Sequence, residues 1–141
     1  MSKKQIGTGR CLCGAVRFEA IWPVTTVVHC HCESCRRSTG APFVTHVGFG
    51  GDGFSYINDE PAEYRSSPGV RRTFCGRCGT PMTYENSNWP SNTVYVNIST
   101  LDDPNAYRPQ LHVHCREAIS WLRIDDQLPR HSELPEAEKA G

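Results

Sequence analysis

Apolar and polar residues alternate along several short stretches of the chain, a pattern typical of half-buried β-strands. The first stretch covers residues 15–22, with apolar side chains at every second position: Val16, Phe18, Ala20 and Trp22. Pro23 interrupts it, and the β-branched run 24–29 predicts a second strand that delivers Cys30 at its end. The polar segment 32–39, closed by Gly40, predicts one helical turn.

Short apolar or alternating runs predict further strands along the rest of the chain: 42–49, 54–57, 62–66, 70–74, 80–85 and 93–99. Turn residues separate the three runs between 54 and 74, so we expect these to form a meander. In the stretch 110–124, His112 and His114 alternate with Leu111 and Val113, which predicts that the histidines lie on a polar face. The pattern predicts a mostly β fold.

The length of 141 residues fits one domain, which we place at residues 1–130. From Asp125 onward the sequence lacks core residues, so we expect fraying there and a polar tail over 131–141. The formal net charge is zero, with 15 basic and 15 acidic residues, so no overall field favours nucleic acid or an anionic membrane. The basic residues at the start of the chain are not followed by an apolar run, so they do not resemble a secretory signal. We therefore expect a protein of the reducing cytosol.

Eight cysteines in that compartment indicate metal binding or catalysis rather than a disulfide framework. Seven of them form three short-spaced clusters: Cys11 and Cys13; Cys30, Cys32 and Cys35; Cys75 and Cys78. Structural zinc takes four protein ligands, whereas catalytic zinc takes three and leaves one position open. The seven therefore divide most simply into a closed site of the two pairs and an open site of the triplet, with two zinc ions per chain.

Two alternatives to this division remain open. Iron–sulfur clusters also use thiolates, although two pairs and a triplet fit their ligation less simply. The triplet could also be a closed site, because several residues could supply a fourth ligand: His29, His31, His112, His114 or Cys115. Cys115 could otherwise be a small buried residue beside Leu111 and Val113.

The ordered motifs resemble the family of glutathione-dependent formaldehyde-activating enzymes, which shares its domain with centromere protein V. The matching elements are Gly9-x-Cys11-x-Cys13-Gly14-x-Val16-x-Phe18, Cys30-His31-Cys32-x-x-Cys35-Arg36-Arg37-x-x-Gly40-Ala41-Pro42-Phe43, Arg72-x-Phe74-Cys75-x-x-Cys78-Gly79-Thr80 and Asp125-x-x-Leu128-Pro129. They span roughly residues 7–130, which makes them far more specific than a lone Cys-x-x-Cys.

The resemblance implies a β-tent fold, similar to that of Mss4-like proteins, stapled by zinc. Position by position, it assigns Cys11, Cys13, Cys75 and Cys78 to a structural zinc, and Cys30, Cys32 and Cys35 to a catalytic zinc. The implied activity is that of a carbon–sulfur lyase, which forms or cleaves S-hydroxymethylglutathione from glutathione and formaldehyde. A small thiol such as glutathione and an aldehyde are thus the expected partners.

Residues beside the triplet are candidates for substrate contacts. Arg36 and Arg37 could receive a carboxylate of the thiol, or they could be a solvated pair bonded to Glu33 or Asp59. His31 and His46 could transfer a proton near neutral pH, so we count His31 among the catalytic candidates and His46 among the substrate contacts. Tyr84, Trp89 and Trp121 could line a pocket or simply pack.

A second function from a different class is a noncatalytic zinc module that binds another protein. Nucleic-acid binding is a weaker option, since the chain has no basic stretch interleaved with aromatics. A triplet without a dedicated fourth ligand would favour the enzyme, because a pure scaffold needs only closed sites.

Overall fold

A computed structural model describes residues 5–135, which form two β-sheets and one short helix. The smaller sheet has three antiparallel strands in the order β1-β2-β5: Ile6–Arg10, Arg17–Ile21 and Phe54–Tyr56. The predicted alternation in β2 is confirmed, because Val16, Phe18 and Ala20 are all buried. The prediction of a mostly β chain is confirmed as well.

The larger sheet has seven strands in the order β10-β3-β4-β9-β8-β7-β6. Their bounds in chain order are β3 Val24–Cys30, β4 Val44–Gly50, β6 Ala62–Ser67, β7 Val70–Phe74, β8 Pro81–Asn86, β9 Thr93–Asn97 and β10 Leu111–Val113. All neighbours are antiparallel except β10, which runs parallel to β3. β3 therefore has β4 on one side and β10 on the other.

The one helix, α1 (Glu33–Thr39), connects β3 to β4 as the sequence predicts. The Cys32 sulfur accepts a hydrogen bond from the Cys35 amide at the first turn, and Gly40 ends the helix in the left-handed conformation with φ of 69°. Glycine suits that position because it has no Cβ. Short 3-10 turns cover Gly51–Gly53, Ile98–Thr100, Pro104–Ala106 and Cys115–Glu117. No helix within residues 5–135 is long and apolar enough to cross a membrane.

Side chains from both sheets meet in the main apolar core, whose largest fully buried members include Phe18, Phe49 and Met82. A second, smaller cluster lies where α1 meets β3, β4 and β10. Its buried members are Val28, Cys30, Cys35, Val44 and Val113. The cysteine triplet is therefore part of a packed region rather than a surface loop.

Three predictions about this fold are wrong. The meander fails at β5, which pairs with β2 in the smaller sheet, while β6 and β7 follow in the larger one. His112 is fully buried rather than on a polar face, because β3 lies along one edge of β10 and residues 129–131 lie along the other. At the second edge, the His112 amide donates to the Pro129 carbonyl and the His112 carbonyl accepts from the His131 amide. The expected fraying from Asp125 onward is therefore absent over 125–135, and residues 136–141 of the predicted tail lie outside the described residues.

Candidate metal centres

Four cysteine sulfurs from distant parts of the chain converge at one end of the smaller sheet. The Sγ atoms of Cys11, Cys13, Cys75 and Cys78 all lie within 4.8 Å of one another. Cys13 Sγ is 3.6 Å from Cys11 Sγ and 3.8 Å from Cys75 Sγ. Sulfurs at the corners of a tetrahedron around zinc, with bonds of about 2.3 Å, are about 3.8 Å apart. The four thiols thus fit a closed zinc site.

Turns fix these four cysteines in place. Gly14 and Gly79, each with φ of 82°, follow the two pairs and turn the backbone around the sulfurs. Backbone amides point at the sulfurs: Val16 N–H donates to Cys11 Sγ, and Arg77 and Cys78 N–H donate to Cys75 Sγ, at 3.3 to 3.4 Å. Such hydrogen bonds stabilise thiolate, the form that binds metal.

The second group consists of Cys30 at the end of β3, Cys32 before α1 and Cys35 within it. Their sulfurs also lie within 4.8 Å of one another. Hydrogen bonds from the Cys30 and Cys32 thiols, together with the charge and hydrogen bond of the Arg72 guanidinium, lower the pKa of Cys35 to about 3. Hydrogen bonds with the Cys32 and Cys35 sulfurs in turn raise the pKa of Cys30. The triplet therefore holds a negative charge readily.

This triplet has no fourth protein ligand among residues 5–135, since no other His, Cys, Asp or Glu joins the group. His29 and His112 instead form a separate group with Asp126. Cys115 belongs to none of the groups and is half-buried in the 3-10 turn, where burial raises the pKa of its thiol. The arrangement supports the division into four and three cysteines.

A cavity of about 370 Å³ opens directly onto the triplet. Its lining is Val28, Cys30, Cys32, Ser34, Cys35, His46, Ser66, Ser67, Val70, Arg72, Tyr84, Trp89, Tyr95, Val113, His114, Glu117 and Leu134. One wall is aromatic, because the Tyr84, Trp89 and Tyr95 rings contact one another. Trp121, the other aromatic candidate, is 69% exposed and lies away from this cavity.

Arg72 is the arginine of the cavity. Its Nη1 atom lies 3.7 Å from Cys35 Sγ and 3.1 Å from Ser38 Oγ, and its guanidinium carbon is 4.9 Å from the centre of the Tyr84 ring. Arg72 belongs to the Arg72-x-Phe74-Cys75 motif, yet sequence reasoning did not single it out. Only the pairing of β7 within the larger sheet brings it beside Cys35.

The structure places the predicted substrate arginines outside the cavity. Arg36 donates to the carbonyls of His31 and Glu117, and Arg37 forms an exposed ion pair with Glu33. The ion pair between Arg37 and Glu33 matches the alternative prediction, in which the arginine is solvated and bonded to Glu33. Their assignment to a substrate carboxylate stays a prediction that neither side chain's position supports.

The two candidate histidines differ in position. His46 lines the cavity, and burial lowers its pKa to about 4. His31 lies behind the cavity wall and stacks on His112, and burial followed by the charges of His112 and His29 lowers its pKa to about 4. Both rings are therefore neutral at neutral pH and weak as bases. Their catalytic roles stay predictions.

A family model described as glutathione-dependent formaldehyde-activating enzyme matches residues 6–117, more than half of the chain. The chain belongs to this family. The match confirms the resemblance seen in the ordered cysteine motifs, and it includes all seven cysteines of the two proposed sites.

Two relatives agree with this placement, and one solved structure has a similar fold. The chain is 33% identical over 89 residues to an uncharacterized lyase of Schizosaccharomyces pombe, covering 63% of this chain and 64% of that protein, so it spans less than two thirds of that relative. It is 28% identical over 131 residues to a Halomonas elongata protein provisionally named for the family activity, covering 84% of this chain and 81% of the other. The fold is similar to a crystal structure of a Rhodobacter sphaeroides protein, with a TM-score of 0.56 and 22% identity over 67% of this chain and 87% of that one.

Proposed function

We propose that this family member is a zinc-dependent carbon–sulfur lyase that acts on the adduct of a small thiol and an aldehyde, of the S-hydroxymethylglutathione type. The observation that carries the proposal is the Cys30, Cys32 and Cys35 group, which lacks a fourth protein ligand and borders a cavity. A zinc ion held by the three thiolates would offer a fourth position that keeps an incoming thiol in its nucleophilic thiolate form.

The reaction needs little beyond proximity and charge. In the forming direction, the thiol sulfur bonds to the aldehyde carbon and the thiol proton ends on the former carbonyl oxygen. In the reverse direction the carbon–sulfur bond breaks, and the hydroxyl proton returns to sulfur. Holding thiol and aldehyde together in a cavity of about 370 Å³ converts a bimolecular addition into a local one.

Charged residues on the cavity wall suit a peptide thiol. Arg72 is fixed by hydrogen bonds from its guanidinium to Ser66 and Ser38, so it can present its remaining N–H groups to a carboxylate without first losing side-chain freedom. Glu117 lines the same cavity and could receive an ammonium group. Glutathione carries both carboxylate and ammonium groups. Arg72 and Glu117 are therefore our proposed substrate contacts, in addition to His46.

The β-tent and Mss4-like description of the fold belongs to the same proposal. It is supported by the position of the closed cysteine group, which ties the end of β1 to the end of β7. In this reading, Cys11, Cys13, Cys75 and Cys78 hold a structural zinc, and the triplet holds the catalytic one.

The test is the rate at which free glutathione and its formaldehyde adduct exchange, measured by two-dimensional exchange NMR with and without the protein. We expect a rate above the spontaneous one, abolished in Cys35→Ser and retained in Cys115→Ser, which alters a cysteine outside both groups. A rate equal to the spontaneous reaction would refute this substrate. If both variants also keep their metal, that result would favour the noncatalytic protein-binding module.

A further inference from the structure

A third group of ligand atoms lies behind the cysteine triplet and has no part in the proposed reaction. It comprises His29 in β3, His112 in β10 and Asp126 in the segment that follows. The match to the family model ends at residue 117, so Asp126 lies outside the matched residues. Within the described chain, the segment 126–131 folds back along β10 and brings this carboxylate to the two rings.

The three ligand atoms converge on one small volume. Asp126 Oδ2 lies 2.8 Å from His112 Nε2 and 3.8 Å from His29 Nε2, and all three atoms lie within 4.8 Å of one another. Nitrogen and oxygen ligands around zinc, with bonds of about 2.0–2.2 Å, are about 3.4 Å apart in a tetrahedron. A shift of Asp126 Oδ2 by about half an ångström, away from His112 and toward His29, would bring both of its distances close to this value.

In both imidazoles, the ring nitrogen that faces away from Asp126 has a hydrogen-bond partner of its own. This is an independent feature of metal-binding histidines. His29 Nδ1 lies 2.8 Å from Thr45 Oγ1, and His112 Nδ1 lies 2.9 Å from His31 Nε2. Metal-ligating histidines usually have their second nitrogen fixed by such a partner, which sets the direction of the first. Here the partners direct both Nε2 atoms at the same carboxylate oxygen.

The carboxylate is also held in place. Asp126 Oδ1 accepts from the Leu128 amide at 3.1 Å, which leaves Oδ2 for the histidines. Arg130 Nη2 lies 3.6 Å from Oδ1 and offsets part of the carboxylate charge, so a cation would bind here more weakly than at the thiolates. The His29 and Asp126 side chains are 13% and 24% exposed, so the group is reachable from solvent.

We propose that His29, His112 and Asp126 form a third metal site, suited to a divalent ion such as Zn²⁺ or Co²⁺ and weaker than the two cysteine sites. Two imidazoles and one carboxylate are a common ligand set for these ions. The site would join the C-terminal segment to β3, the strand that ends at Cys30. The simpler alternative is a hydrogen bond between His112 and Asp126 that fastens this segment without any metal.

Cobalt separates the two possibilities. Thiolate ligands give Co²⁺ an intense sulfur-to-metal absorption band, whereas imidazole and carboxylate ligands give none of that kind. The purified full chain is titrated with Co²⁺ until this band saturates, and further binding is then counted by equilibrium dialysis. We expect one further equivalent in the wild type and in Asp125→Asn, a neighbour outside the group.

In Asp126→Asn and His29→Gln we expect the Kd of that equivalent to rise at least about tenfold, with the thiolate band unchanged. The unchanged band shows that these variants still fold around the cysteine sites, and the readout is independent of turnover. The proposal is overturned if the wild type binds no Co²⁺ beyond saturation of the band. It is equally overturned if Asp126→Asn binds the further equivalent as tightly as the wild type.

Discussion

The guanidinium of Arg72 lies 3.7 Å from the sulfur of Cys35, although 36 residues of the chain separate the two. Arg72 comes from β7 and Cys35 from α1, so this contact joins the seven-stranded sheet to the helix that presents the open cysteine group. It also places a fixed positive charge beside a thiolate and inside the cavity. Under the proposed function, substrate recognition and metal binding would therefore meet at one side chain.

The first prediction concerns Arg72→Gln. Loss of a charged hydrogen bond to a substrate carboxylate costs about 1.5–3 kcal/mol, so we expect kcat/KM for glutathione to fall about 10- to 100-fold. The matched control is Arg37→Gln, whose side chain lies in an exposed ion pair outside the cavity, and we expect it to stay within about twofold of the wild type.

A thiol without a carboxylate distinguishes recognition by Arg72 from general damage to the site. With 2-mercaptoethanol as the thiol, we expect Arg72→Gln to lose much less activity than with glutathione. An equal loss with both thiols would show that Arg72 acts on the cysteine group rather than on the substrate carboxylate.

The second prediction tests the packing of β1 against the 3-10 turn Ile98–Thr100. A Cβ atom added to Gly9 would lie 2.5 Å from the backbone oxygen of Thr100 and would overlap the Phe18 ring. We expect Gly9→Ala to lower the free energy of unfolding by about 1–3 kcal/mol, because a backbone atom cannot move aside as a flexible side chain can. Urea denaturation of the metal-loaded wild type and variant measures this difference in the free energy of unfolding.

Gly50→Ala is the control for this substitution. Gly50 ends β4 with φ of −62°, and a Cβ there would meet nothing within 4 Å. Its stability is expected to stay within about 0.5 kcal/mol of the wild type. Equal destabilisation by the two substitutions would contradict the close approach of Gly9 to Thr100.

The third prediction concerns a cluster of hydroxyl groups between the two sheets. Tyr56 Oη lies 2.8 Å from Thr73 Oγ1, which lies 2.6 Å from Thr83 Oγ1, and both threonines are buried. Tyr56→Phe removes a hydrogen bond there and is expected to cost about 1–2 kcal/mol in the free energy of unfolding. Tyr64→Phe, at a side chain 63% exposed, is the control and should change little. A cost as small as that of the control would mean that the Tyr56 hydroxyl contributes no net stability.

The grouping of the cysteines into two pairs and a triplet was predictable from local spacing, and the joining of the two pairs was predictable from the four ligands that a closed zinc site needs. Cys75 and Cys78 are three residues apart, as are Cys32 and Cys35, and such spacings confine the sulfurs to one turn of backbone. Most strands were predictable for a similar reason, since the alternation in β2 and the β-branched run in β3 are local properties. The ends of these elements differed from the prediction by a few residues.

The features that could not be predicted depend on contacts between distant segments. The alternation around His112 indicated an exposed histidine, but burial follows from the return of residues 129–131 along β10. Asp126 lies within a mostly polar segment in which Leu128 is the one aliphatic residue between 125 and 131, so nothing local signalled that its carboxylate bonds to a buried ring. Arg72 likewise became a cavity residue only through the pairing of β7 with β6 and β8.

The most direct test of the two-site account compares the metal content and the fold of Cys30→Ser and Cys75→Ser. Cys75 belongs to the closed group that joins β1 to β7, and metal binding at such a site supplies folding free energy. Cys30 belongs to the open group, whose ion we expect to serve the reaction rather than the fold. Metal is counted by elemental analysis after exhaustive dialysis, and the fold is followed by circular dichroism and thermal melting. The account predicts that Cys30→Ser loses one equivalent of metal and keeps its fold, while Cys75→Ser unfolds; equal unfolding of the two variants, or full metal content in both, would contradict it.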